Sequence, residues 1–410
     1  MGWRRDDLRG DRRARSRRID LINPWKFGFT IAVKRTIRGV PRSEWDSCFH
    51  GDPEGWSYYA ALEQSELEDF SWTYFVVYEH GNVVAVAPAF VTDYRLDTPV
   101  QGAWKKALQP VLRRLKKALT LRMLCLGSPL TDKCHIGFGP NLAHERRGEI
   151  LSQLIVGVKA FAARHHLGLI AIKDIADADL GHGVGTAFVA AGFARQQSLP
   201  NTILAVPPGG ETGYFKSLSH AARRDVRRKL KIADLVRIER RRGIEALDFA
   251  PTMFKLYEGQ RDRSRIDFDQ FEKLTIEYFR QVLIELGDAA VIFLYFHEDR
   301  LIAFNLCFQT NGLLIDKFIG FKRPLARALN LYVLSWMTNV RYCIEYGIPS
   351  LQTGQTAYSM KLHLGSKLIG NWNYFHHRNP LVNAVLRLAG PLLAPDRYDA
   401  ELANTFKSKA

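Results

Sequence analysis

The stretch from Leu351 to His377 reads LQTGQTAYSMKLHLGSKLIGNWNYFHH, and the rest of the chain is read outward from it. It opens as a strand end and passes through a loop carrying Gly354, Gln355, Thr356, Tyr358, Lys361 and His363. It returns to strand pattern from Leu368 to Phe375. Polar, reactive side chains stand here beside glycines, which let a backbone come close to a ligand. If the chain carries a chemical site, the sequence puts it here.

Upstream, Leu331 to Glu345 has helical spacing and is closed by Gly347 and Pro349. Leu313 to Phe321 reads as a strand. Val291 to His297 and Leu301 to Gln309 read as a hairpin about Glu298, Asp299 and Arg300, and Leu247 to Arg263 and Phe268 to Leu286 read as helices. The first half repeats this order. Phe27 to Ile37 is strand-like, Pro41 to Trp45 opens a turn and helix, and Trp56 to Leu67 is helical. A hairpin runs from Phe75 to Val77 through His80, Gly81 and Asn82 to Val83 to Phe90. Met123 to Leu126 and His135 to Phe138 are short strands, Arg147 to His165 is a strongly periodic helix, and Leu167 to Ile172 is a buried strand. The two halves share an order of elements without visible sequence repetition, and read as two related mixed α/β domains. Pro207, Pro208, Gly209 and Gly210 mark their junction. The expected division is a basic arm over residues 1–20, domains over 21–208 and 209–380, and a helical tail over 381–410.

The 410 residues are 47% hydrophobic, enough for two ordinary cores. Lys and Arg number 58 against 42 Asp and Glu, a formal charge of +16 that favours anionic partners such as RNA, coenzyme A, phosphorylated nucleotides or anionic lipid. Cys48, Cys125, Cys134, Cys307 and Cys343 are widely spaced without a CxxC pair, which argues against a disulfide framework or zinc site and fits a reducing cytoplasm. No metal site is expected. The N-terminal MGWRRDDLRGDRRARSRRID has arginines but no apolar run behind it, so it is not a secretory signal, and Asp6 breaks the myristoylation motif. No run of roughly twenty apolar residues is present, so no transmembrane helix is expected.

Three segments bear on anion binding. Tyr214 to Arg242 is the densest basic stretch. Leu218, Ala222, Val226 and Leu230 form a buried stripe at four-residue steps, leaving Arg223, Arg227 and Lys231 stacked on another face, where like charges repel unless a polyanion or neighbouring acids relieve them. Ala103 to Leu121 is amphipathic and basic, suited to a membrane surface, a nucleic acid or a solvated core cover. Gly181, Gly183 and Gly185 precede a helix, a place where backbone N–H groups cradle phosphate; a short glycine motif reads equally as a structural loop.

Several segments taken in order match a known pattern: YYAALEQSELEDFSW leading to a hairpin that ends VAPAF; FVAAGFARQ followed by Asn201; YFKSLSHAARRDVRRKLK; VIFLYFHEDRLIAFNLCF; and GQTAYSMKLHLG. From about Trp56 to Tyr374 the chain resembles the FemAB-like branch of the GNAT acyltransferase superfamily, whose members carry tandem GNAT domains. The resemblance implies two GNAT-like domains, each a mostly antiparallel mixed sheet flanked by helices, with substrate in the cleft between them. It implies that Arg223, Arg224 and Arg227 hold substrate phosphates, and that Gly354, Lys361 and Gly365 match a glycine, lysine, glycine motif, with Gln355 beside it. The related pattern has an acidic residue and a histidine before that lysine, where this chain has Tyr358, Ser359 and Met360.

The implied chemistry is amide formation on an amine acceptor, from an acyl-CoA thioester or an aminoacyl-tRNA as co-substrate, with no tightly bound cofactor. An attacking amine must lose a proton, and the tetrahedral oxyanion needs donors aimed at it. Lys361 suits the oxyanion or a phosphate, Tyr358 can protonate the leaving group, and His363 is a base near neutral pH. Each has a plain structural alternative: a surface ion pair, a packed aromatic and a solvent-facing strand histidine. A second reading keeps the GNAT-like halves as scaffold for a non-catalytic or membrane-surface protein, supported by the basic 103–121 segment and the apolar Leu381 to Leu393 tail.

Overall fold

The computed structural model describes residues 20–22, 28–95, 120–261, 271, 273–389 and 402. The basic arm up to residue 19, most of the 103–121 segment, the start of the expected 268–286 helix and most of the tail beyond 389 lie outside the described residues.

The first half opens with β1 (Asp20–Ile22) and β2 (Phe29–Lys34), then α1 (Arg42–Cys48) and α2 (Trp56–Gln64). The hairpin β3 (Ser71–Glu79) and β4 (Asn82–Arg95) follows, then β5 (Thr120–Leu126), the two-residue β6 (Gly137–Phe138), α3 (Arg147–Arg164), β7 (Leu169–Ala176), α4 (Val184–Ala190) and β8 (Ala194–Gln197). Next come β9 (Asn201–Ala205), α5 (Gly210–Ser217) and the arginine-rich α6 (His220–Leu230). The second half continues with β10 (Arg237–Arg242), α7 (Ala250–Arg261), α8 (Ile276–Leu286), the hairpin β11 (Ala290–His297) and β12 (Arg300–Gln309), and β13 (Leu314–Phe321). It closes with α9 (Leu325–Ala328), α10 (Leu331–Tyr346), β14 (Ser350–Gln352), α11 (Tyr358–His363), β15 (Lys367–Ile369), β16 (Asn371–His377) and α12 (Pro380–Ala389).

Local chemistry explains several boundaries. Ser219 caps α6 by accepting from Ala222 N at 3.2 Å, and Thr275 caps α8 by accepting from Tyr278 N. The last turn of α10 is closed by Gly347 in the left-handed region (φ 65°).

The strands form two mostly antiparallel mixed sheets. The first has nine strands, in the order β1-β2-β3-β4-β5-β7-β16-β8 with β6 paired to β4; the second has seven, in the order β10-β11-β12-β13-β14-β9-β15. In each sheet one parallel pair, β5 with β7 and β13 with β14, spans the helical crossover. Two strands cross the division drawn at 208/209. β9, which precedes it, lies between β14 and β15 of the second sheet, and β16, near the end of the chain, lies between β7 and β8 of the first. The repeated order of elements makes β9 and β16 equivalent, so each half gives its last strand to the other. The sequence hides this because Asn201 to Ala205 reads as a continuation of β8.

The halves also share a core. Helix α2 lies on α8, and one buried cluster runs from Trp45, Tyr58 and Tyr59 to Tyr278, Phe279 and Phe304. Tyr58 meets Phe308 at 5.5 Å between ring centroids, and Arg38 pairs with Glu285 at 2.5 Å. The Leu351–His377 stretch is more regular than a loop between two strands. Its middle is the short helix α11, entered through Ala357 in the left-handed region (φ 54°) and ended by Gly365 (φ 95°), and its expected single strand is two. β15 and β16 are separated only by Gly370 yet belong to different sheets. A Cβ at Gly370 would stand 2.2 Å from Asp177 Oδ2, so any other residue there would displace that side chain, which now accepts from Trp372 Nε1.

Candidate functional site

The two parallel strands at the middle of the second sheet part almost as soon as they meet. β13 and β14 pair only at Leu314 with Leu351 and Ile315 with Gln352, while β13 runs on to Phe321. Asp316 and Lys317 therefore stand on one side of an opening, and Thr353 and Gly354 on the other. A register shift against β12, where Leu306 faces Phe318 but Cys307 faces Asp316, leaves Lys317 as an extra residue. Bulges of this kind re-aim side chains beside functional sites. Here the bulge sends Asp316 toward α10 and puts both Lys317 and Phe318 on the α2–α8 side.

Asp316 is half-buried, and its carboxylate accepts from Asn305 Nδ2 at 3.0 Å and Asn339 Nδ2 at 3.2 Å. Both asparagines are fully buried, so both amides are fixed. Burial pushes the Asp316 carboxyl up to about 6, against the opposing pull of Lys361 and of the Asn305 amide. Lys361 reaches the same opening from α11; it is buried, and its Nζ donates to Thr353 O. A Cβ on Gly354 (φ 74°) would lie 3.3 Å from Asp132 Oδ2 and 3.9 Å from Lys361 Nζ. Thr202, on the exchanged β9, fixes this corner: its hydroxyl pairs with Thr353 Oγ1 at 2.8 Å and donates to Gly354 O at 2.7 Å.

Asp132 arrives on a first-half loop held by long polar side chains. Asn201 Nδ2 donates to Asp132 O at 2.7 Å, Lys173 Nζ to Thr131 O, and Lys317 Nζ to Leu130 O. Lys317 also pairs with the buried Glu54 at 2.5 Å, within 5.4 Å of the Tyr58 ring and 5.8 Å of the Phe318 ring. Burial opposes the Lys317 charge, but Glu54 beside it raises its pKa. Beyond Glu54 lie His135, Asp52 and Lys133. His135 Nε2 stands 3.3 Å from Asp52 Oδ2, Lys133 Nζ 2.7 Å from the same oxygen, and Tyr59 Oη 2.5 Å from His135 Nδ1. Burial would raise the Asp52 carboxyl, but His135 and Lys133 hold it far below the usual range.

Asp52, Glu54 and His135 bring their ligand atoms within 4.8 Å of one another, close enough to hold a metal ion. Each carboxylate already has a lysine, Lys133 and Lys317, so an added cation would have to displace one. We read the group as an ion cluster that ties the halves together. It borders a cavity of about 200 Å³ lined by His50, Lys133, Cys134 and Arg147.

The expected site residues are placed as follows. Lys361 is buried at the opening rather than in a surface ion pair. Tyr358 is buried, and its hydroxyl donates to Pro200 O at 3.0 Å. His363 is not on a strand; it lies in α11 with Nε2 3.5 Å from Asp225 Oδ2 of α6. Gln355 Nε2 donates to Leu199 O at 3.1 Å, and Gly365 packs against Leu218. The arginine helix thus does meet the opening stretch, but within the second half and not across a cleft: Tyr214 Oη donates to Leu364 O, and Ala222, Val226 and Leu364 share a core. Arg223 is half-buried and donates to Leu218 O, Arg224 is exposed, and Arg227 stands 5.1 Å from the Phe215 ring. The glycine loop before α4 is packed backbone to backbone, since a Cβ on Gly148 would meet Gly183 at 2.9 Å.

Asp316, Asn305, Asn339 and Lys317 were not singled out from the sequence. A signal was present: LLIDKFIGF sets two charged residues in the middle of an apolar strand.

Residues 220–362 match the family described as an acetyltransferase (GNAT) domain. A comparison with curated proteins finds no match. Among solved structures, FemX matches with a TM-score of 0.53 at 13% identity, covering 79% of this chain and 92% of FemX. L-PGS from Bacillus licheniformis gives 0.49 at 10%, covering 83% and 98%, and a tandem GNAT protein from the clavulanic acid biosynthesis pathway gives 0.46 at 12%, covering 79% and 88%. Residues 220–362 thus carry a GNAT acetyltransferase domain, and the chain as a whole shares its fold, two mixed sheets with the same order of elements in each half, with FemX.

Proposed function

We propose that the chain is an N-acyltransferase that forms an amide at the β13–β14 opening, with Asp316 as the general base. The observation that carries this reading is a carboxyl with a pKa near 6, fixed by two buried amides, at the place where the strands part. A base works best with a pKa near the working pH, and perturbed carboxyls of this kind cluster at reactive sites. The amine nitrogen bonds to the donor carbonyl carbon and passes a proton to Asp316. The carbonyl oxygen becomes the oxyanion, with the Lys361 charge beside it. As the tetrahedral intermediate collapses, the carbon–sulfur or carbon–oxygen bond of the donor breaks, and the proton held on Asp316 returns to the departing thiol or hydroxyl. Tyr358, committed to Pro200 O, serves to position α11, and His363 holds α11 to α6 through Asp225.

The donor is an acyl-CoA or an aminoacyl-tRNA, both of which carry phosphates. Exposed Lys322, Arg323 and Arg327 lie on the crossover from β13 to the N-terminus of α10. Asn330 Nδ2 ties that crossover to Lys229 O, at the C-terminal end of α6, at 3.3 Å, and Arg223, Arg224 and Arg227 lie on the same helix. A helix N-terminus with arginines beside it suits phosphate groups. The test supplies labelled acyl-CoA or charged tRNA with an amine acceptor to the wild type and to Asp316→Asn and Lys361→Ala. Transfer by the wild type from one donor class, lost in both variants while folding is retained, supports the reading; transfer undiminished in Asp316→Asn refutes it.

A further inference from the structure

Helix α12 is apolar on two sides. Leu386 packs into the shared core, whereas Leu381, Val385 and Leu388 are 77%, 62% and 79% exposed. With exposed Ala384 they fall at i, i+3, i+4 and i+7, a continuous stripe along the outer face. Among the described residues, no other element presents three large exposed hydrophobics. The helix is held in place: Asn383 Nδ2 donates to Gly192 O at 2.9 Å, and its Oδ1 accepts from His377 N at 3.0 Å.

Among the described residues, the charged side chains exposed around the stripe are cationic. Arg378 and Arg387 are exposed on α12 and just before it. Arg195 is exposed on β8, against which α12 packs, and Lys159 reaches Ala191 O and the Phe193 ring beside it. No Asp or Glu occurs between Glu345 and Asp396, or between Asp179 and Glu211, the stretches that build this corner. On β7, which pairs with β16, Asp174 is buried and paired with Lys173 and Ser198, and Asp177 just beyond β7 is bonded to Trp372 at the opposite end of β16. Facing two copies of this surface would bring like charges together, which disfavours a homodimer here.

We propose that the α12 face docks on an anionic bilayer, with Leu381, Ala384, Val385 and Leu388 at the boundary between headgroups and acyl chains and the arginines among lipid phosphates. Aliphatic burial and cationic attraction act together at such a surface. The inference does not depend on the acyl-transfer reading. The test is co-sedimentation of the full chain with phosphatidylcholine vesicles, with and without phosphatidylglycerol, for the wild type and Leu381→Asp/Leu388→Asp. Both substituted side chains face solvent, so circular dichroism and thermal unfolding should not change. Wild type is expected to bind phosphatidylglycerol vesicles about tenfold more strongly than neutral ones, and the double variant to lose about tenfold or more. Absent wild-type binding at low salt, or equal binding by the double variant, would overturn the proposal. So would a wild-type dimer in sedimentation equilibrium that the double variant abolishes, because the stripe would then belong to a second copy.

Discussion

Replacing Asp316 with Asn should make the protein more stable and less active at once. The carboxyl sits near 6 in the folded chain against 3.8 for a free aspartate, and a pKa unit corresponds to about 1.4 kcal/mol. Keeping it ionised at pH 7 therefore costs the fold about 3 kcal/mol. Asn removes that cost. It also removes the partner of the buried Lys361 charge, and it can accept from only one of the Asn305 and Asn339 amides without turning its own amide toward the other, which together return about 1–2 kcal/mol. The net expected gain at pH 7 is about 1–2 kcal/mol. Because the folded pKa lies above the unfolded one, the unfolded chain loses its proton first as pH rises. Wild-type stability should thus fall relative to Asp316→Asn between about pH 4 and pH 6 and then level off. Urea unfolding of both proteins across that range reads the difference directly. Transfer should drop by about 10²–10⁴-fold, the usual contribution of a general base. A stability difference that does not change with pH would refute the argument that burial raises the Asp316 pKa, and an active Asp316→Asn would refute its role.

Other substitutions test the surroundings. Lys317→Met leaves Glu54 buried without its closest cation and should cost about 3–5 kcal/mol in urea unfolding, with most of the loss recovered in Glu54→Gln/Lys317→Met. Gly354→Ala forces an L-residue to φ 74° beside Asp132, so a stability loss of about 1–2 kcal/mol should accompany a fall in transfer nearer 10²-fold, measured as rate and Tm on the same samples. If the donor is a tRNA, its affinity should fall steeply with salt, and Arg224→Ala should lower the slope of log K against log salt by about 1.

Much of the second half was legible because its elements announce themselves by period and punctuation. The β11–β12 hairpin and the Leu331–Tyr346 helix fall within a residue or two of where apolar spacing puts them. The resemblance supplied what spacing does not, the GNAT fold of both halves. What could not be read was set by distant contacts. Tyr358 to His363 looks like loop in isolation and becomes helix because Tyr358 and Lys361 are both buried against groups far away in sequence. Lys361 stood out as a reactive residue in a glycine-rich setting, whereas Asp316 acquires its character only from Asn305 on β12 and Asn339 on α10, which no local pattern joins to it. The arginines of α6 announced a charged face, but not that the helix packs within its own half.

The traded strands also fix a schedule for biosynthesis. Emerging from the ribosome, the first sheet has β7 and β8 in hand but nothing to lie between them until β16 appears, and Leu169 must wait for His377. The second sheet, begun later, already possesses its borrowed β9 and is complete once Ile369 is out. Completion thus runs opposite to synthesis. Throughout that interval the nascent first half displays an unfilled edge of the kind that recruits strands from neighbouring chains, so slowed translation of the second half should raise aggregation of the first.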